Sequence, residues 1–154
     1  MSFKLPKPAG GFFRLLLQSG SSGFETMFDA YYFCLMVGLD ARTVGSEDEV
    51  GEEFVRDYVQ SFQPYSDLIA GLLIDAELGR AHIDPSDRSG VEKKIVELLD
   101  PNSATKLSAM GHVLLNRYAA GGFSVLRDDF ASAPQSLEDF LITYHRRWGT
   151  SAIG

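Results

Sequence analysis

Cys34 is the single cysteine of this chain. That excludes an internal disulfide framework and any four-cysteine zinc site. Positive charge is also scarce: 14 lysines and arginines face 21 acidic residues, for a formal charge of -7. A free-standing, nonspecific DNA-binding protein would be more basic. No apolar run approaches the roughly 20 residues that cross a bilayer. The run Phe12–Leu17 is short and is broken by Arg14. Pro6, Pro8 and Gly10–Gly11 stand between the N-terminal lysines and that run, which is not the order of a secretory signal. The expected location is therefore cytoplasmic. Catalytic signatures are missing too. There is no Gly-x-Ser-x-Gly, and the turn-rich segment from Asp84 to Gly90 lacks the glycine spacing and lysine of a nucleotide loop. His82, His112 and His145 lie in separate segments with no His-x-x-x-His pair, so neither a metal nor a cofactor is expected.

What is present is apolar and helical in pattern. The 154 residues are 45% apolar and 12% aromatic, the size and composition of one domain with a true core. Residues 24, 27, 28, 31, 32, 35, 36 and 39 follow a helical repeat. Phe33, Cys34 and Val37 fill much of the remaining circumference, which predicts a central helix and a buried, unreactive Cys34. Further helices are predicted at 12–18, 50–62, 64–79, 91–99 and 104–119, and from Ser136 to Trp148. Ser136 opens the last with a capping-box pattern, and Ala119–Gly122 reads as a helix stop. Phe123–Phe130 reads as a short extended piece or a single turn. The expectation is an all-α, compact orthogonal bundle of six or seven helices over residues 12–148. Residues 1–11 are expected to be a flexible arm, and 149–154 a flexible tail.

Two groups of residues stand outside these stripes as binding candidates. Phe3, Phe12, Phe13, Phe123, Phe130 and Trp148 fit interface anchors, with peripheral core as the competing role. Lys4, Lys93, Lys94, Arg146 and Arg147 offer local positive charge for a nucleic-acid backbone, although Arg146 and Arg147 also suit a helix C-terminus. The acidic run Glu47–Asp57 reads as a solvated face. For catalysis no residue is assigned; Tyr31, Asp75, Glu77 and His112 are the polar groups that a fold could bring together.

The stretches FETMFDAYYFCLMVGL and LLNRYAAGGFSVLRDDF with LEDFLITYHRR resemble parts of small helical accessory proteins of bacterial DNA-modification and anti-phage systems of the phosphorothioation type. The resemblance covers about half of the chain and rests on apolar and small residues. It implies a non-enzymatic subunit beside a larger DNA-handling machine, and it carries over no catalytic residue. The first functional expectation is thus an accessory or adaptor subunit with a protein partner or a second copy of itself. The alternatives are a nucleic-acid-binding protein using local basic patches and an enzyme whose site is assembled from distant polar residues.

Overall fold

The computed structural model describes residues 1–149. Two long helices that nearly touch organise it, α3 (Met27–Ala41) and α6 (Ala109–Arg127). Each starts on a polar cap. Thr26 and Asp29 form a reciprocal capping box on α3, and the Ser108 hydroxyl accepts from the Gly111 amide on α6. Glycines set the distance between the two. A Cβ on Gly38 would collide with the Tyr118 carbonyl, and one on Gly122 with the Cys34 carbonyl. The predicted stop at Ala119–Gly122 is corrected accordingly. These small residues let two backbones meet, and α6 runs on through them to Arg127. Phe123, expected in an extended piece or turn, lies on α6 with 1% exposure.

Around this pair stand α1 (Ala9–Phe12), α2 (Arg14–Gln18), α4 (Ser66–Arg80), α5 (Arg88–Leu98) and α7 (Leu137–Tyr144). The expected all-α architecture holds: seven α-helices among the described residues form a mostly helical bundle. Ser136 caps α7 as expected, its hydroxyl accepting from the Asp139 amide. A π-helical turn, His145–Gly149, then carries the chain to Trp148. No helix among the described residues is long and apolar enough to cross a membrane. Residues 150–154 of the expected tail lie outside the described residues.

A small antiparallel ribbon departs from the expectation. Strand β1 (Phe3–Pro6) pairs with β2 (Val50–Val55), placing Phe3 opposite Val55 and Pro6 opposite Val50, with two irregularities in the register. The predicted helix over 50–62 is therefore a strand, a loop and a 3₁₀ segment, Gln60–Tyr65. Phe54, Val55, Tyr58 and Phe62 satisfy a helical stripe, but they pack on the core from a strand, a loop and a 3₁₀ segment, Phe54 and Val55 only half-buried. Gly51 was the legible signal, since a Cβ there would strike the Leu5 carbonyl of β1.

Residues 1–11 are likewise not a loose arm. Phe3 has no exposed surface, and its ring meets those of Phe28, Tyr31 and Tyr58 at 5.0, 5.6 and 4.9 Å. Burying such a side chain is worth several kcal/mol on removal, roughly 3–5 for a phenylalanine truncated to alanine. That is ample reason for an N-terminus to order. A second aromatic cluster joins Phe12, Phe13, Phe24, Phe33, Phe123, Phe130 and Phe140, with Phe130 stacked on Phe140 at 5.6 Å. Phe12 and Phe130 keep some exposure but pack against the core, and Trp148 is buried.

Candidate functional site

The aromatic side chains expected as surface anchors, Phe3, Phe12, Phe13, Phe123, Phe130 and Trp148, are thus core or core-packed residues of this chain. Their burial follows from density. Rings from the N-terminus, α6 and α7 fill one shared volume rather than projecting from it. The basic candidates lie on three separate elements: Lys4 on β1, Lys93 and Lys94 on α5, Arg146 and Arg147 in the last turn. Two of them have partners within the chain. Lys94 pairs with Glu77 at 4.0 Å and Glu97 at 3.6 Å; Arg147 pairs with Asp129 at 3.7 Å and lies 4.7 Å over the Trp148 ring. The acidic run divides between a 3₁₀ turn, Glu47–Glu49, and the exposed Glu52 and Glu53 of β2.

The four polar candidates occupy three places. Glu77, 2% exposed on α4, accepts the Tyr118 hydroxyl at 2.6 Å and the Arg80 guanidinium at 2.8 Å. Burial pushes its carboxyl up, but those two hydrogen bonds and the charges of Arg80 and Lys94 outweigh this and hold it below the usual range. Tyr118 is pushed well up by burial and by Glu77. This cluster ties α4, α5 and α6 together with every partner satisfied, which is the pattern of a structural latch.

Tyr31 and His112 border the Phe3 ring instead. Asn116 organises that region, and its position in the middle of an apolar stripe was the sign that sequence reasoning missed. Its carbonyl oxygen accepts from the Tyr31 hydroxyl at 2.9 Å and the Lys4 amide at 3.0 Å, and its NH₂ donates to the Ser2 carbonyl at 2.9 Å. A helix side chain thereby supplies β1 with the hydrogen bonds of a neighbouring strand. Close by, His112 Nε2 lies 2.7 Å from the Thr105 hydroxyl, with both side chains almost fully buried. Burial, and secondarily the N-terminal ammonium, lower the His112 pKa below 6.5 against the opposing influences of Ser2 and Asp57, which favours the neutral ring at neutral pH. Its Nδ1 and the Tyr58 hydroxyl are buried polar atoms without a hydrogen-bond partner among the described residues.

Asp75 faces a third place, an open groove. It runs between α3, α4 and the C-terminal turn, with a volume of about 620 Å³. Tyr32, Met36, Leu68, Leu72, Tyr144 and Trp148 give it an apolar floor, and Asp40, Arg42 and Asp75 stand along it. Leu68 is 47% exposed, although it opens the apolar pattern of its helix. Among the described residues no group of three or more histidines, cysteines or carboxylates is placed to hold a metal ion. Cys34 is buried at the α3–α6 contact and burial raises its thiol pKa, so it supplies no ready nucleophile. Comparison with protein-family models, with curated proteins and with solved structures finds no match for this chain.

Proposed function

We propose that this protein acts by binding, as a non-enzymatic accessory or adaptor subunit of a cytoplasmic multi-protein assembly, and that its partner docks in the groove between α3, α4 and the C-terminal turn. The observation that carries the reading is that floor of large apolar side chains, left open where most of the chain's other aromatics are buried. The occupant that fits is an amphipathic helix with a basic residue beside its apolar face. Tyr32, Met36, Leu68 and Leu72 accept the apolar side, and two carboxylates against one guanidinium favour a cation. The net charge of -7 adds long-range attraction for such a partner. The resemblance to accessory proteins of DNA-modification systems points to a bacterial defence assembly as its setting. Leu68→Asp alters an exposed position. It should leave the melting temperature within a few degrees and remove the partner that co-purifies at native expression. A variant that keeps its partner would place the contact elsewhere.

The catalytic alternative has a specific observation of its own, the buried polar network around His112. A neutral imidazole bonded at 2.7 Å to a hydroxyl seven residues before it, with the sequence-distant Asp57 as an electrostatic neighbour, has the elements of an activated nucleophile. Thr105 Oγ1 would attack the acyl carbon of an ester while His112 takes its proton and passes it to the departing alcohol, and water would then cleave the acyl-threonine to release the acid. The reading requires an opening, because Thr105 is 3% exposed. Ester hydrolysis abolished by both Thr105→Val and His112→Gln would support it. Hydrolysis unaffected by either would remove it.

A further inference from the structure

The outer face of α7 carries a patch that the core does not explain. Phe140 and Tyr144 pack on the Phe33 ring, at 4.9 and 4.8 Å, and tie the helix to the body. Leu141 and Ile142 have no such role and remain 40% and 50% exposed. Ser22, Leu137, Glu138 and His145 complete a shallow depression around them. Glu138, Leu141, Ile142 and His145 stand at i, i+3, i+4 and i+7, so they form one continuous stripe. Apolar side chains scattered singly are ordinary on a surface, whereas a contiguous group with a polar rim marks an interaction site. No residue of this lining belongs to the groove between α3, α4 and the C-terminal turn.

The order of side chains along the stripe selects the occupant. It begins with the acidic Glu138, is apolar in the middle, and ends with His145 followed by Arg146, all of them exposed. The midpoint between Glu138 and His145 falls between Leu141 and Ile142. A two-fold axis at that point, relating antiparallel copies of α7, sets Leu141 against the partner's Ile142. It also sets Glu138 against the partner's His145, with the partner's Arg146 beside it. Each contact then occurs twice, as a self-complementary interface requires. A parallel pair would instead bring Glu138 to Glu138 and Arg146 to Arg146, like charge against like. Acid at the start of a helix and base at its end also suit its dipole, but that leaves the apolar residues between them unexplained. The patch is small against the roughly 20–30 residues a side of a standard interface, and each copy carries a charge of -7, so the dimer is weak.

We propose that a second copy of this chain covers the patch, in an antiparallel dimer centred on Leu141 and Ile142 of α7. The surface is separate from the groove and does not depend on the function proposed for it. Sedimentation equilibrium of the full chain from about 10 μM to about 1 mM tests it. A reversible monomer–dimer equilibrium is expected. Ile142→Asp places a charge in the apolar centre and should weaken association at least about tenfold, with the melting temperature within a few degrees. Glu138→Lys and His145→Glu should each weaken it alone, because each brings like charges together twice. An equal mixture of those two variants should associate more tightly than either, since the introduced lysine then faces the introduced glutamate. Monomer mass at every concentration would overturn the proposal, and so would a dimer indifferent to Ile142→Asp. A mixture no more associated than its components would overturn it as well. Ile142 is half exposed, so Ile142→Asp remains decisive if a charge variant fails to fold.

Discussion

His112 is buried in a form that resists protonation, and this gives the molecule a pH dependence of definite sign. Its folded pKa lies below 6.5, held down first by burial and then by the N-terminal ammonium. Well above 6.5 neither the folded nor the unfolded ring carries a proton. As pH falls below 6.5 the unfolded chain takes up the proton before the folded one, so stability declines through that window. Glu77 acts in the same direction but in a lower window. Its folded pKa lies below 4.5, so its contribution is present above that value and is lost as pH falls beneath it. Melting temperature should therefore fall between pH 7 and pH 5, and His112→Gln should flatten that part of the profile while leaving the decline below pH 4.5. A slope between pH 7 and 5 unchanged by the substitution would show that His112 does not set it. Neither His112's surroundings nor Asn116's were legible in the sequence. Both lie on the apolar side of α6, and what surrounds them comes from residues far away along the chain, Ser2, Phe3 and Tyr31 among them.

The helices were legible where periodicity and caps agreed. The central repeat from Phe24 to Leu39 became α3, and Ser136 capped α7 as its spacing required. Errors came where a local signal had two physical meanings. Gly121–Gly122 can end a helix or let a second backbone approach, and only the neighbouring α3 decides between them. Phe54, Val55, Tyr58 and Phe62 meet a helical spacing, yet the pairing of β2 with β1 wins because it lets Phe3 bury its ring. The glycine argument has a sharp consequence. Gly122→Ala places a methyl group against the Cys34 carbonyl, where backbone has to move, and should cost at least about 3 kcal/mol. Gly71→Ala, on the exposed face of α4 with nothing near its Cβ position, should instead stabilise by about 0.5–1 kcal/mol through helix propensity alone. Denaturant unfolding of the two variants checks both signs; similar losses would mean that α3 and α6 are not in backbone contact.

At the scale of the whole molecule, the all-α class followed from composition and period, whereas the open groove did not. Aromatic residues at the N-terminus and around Gly121–Phe130 looked like anchors because their partners were distant in sequence. The folded chain spends them on its own interior and leaves a different set open. Leu68, Leu72, Tyr32 and Met36 belong to regular helical stripes, so nothing in their spacing distinguished them from core. Only the arrangement of α3, α4 and the C-terminal turn exposes them together. The central claim is that this groove holds a partner's basic amphipathic helix. A photoreactive amino acid placed at position 68 tests it most directly, with position 96 on α5 as the control, because Val96 is exposed to 79% and lies outside the groove. Crosslinking in cells followed by mass spectrometry should yield, at position 68 alone, one defined partner segment with apolar residues at helical spacing and a lysine or arginine beside them. Equal capture at both positions, or a captured segment that is acidic, would contradict the claim.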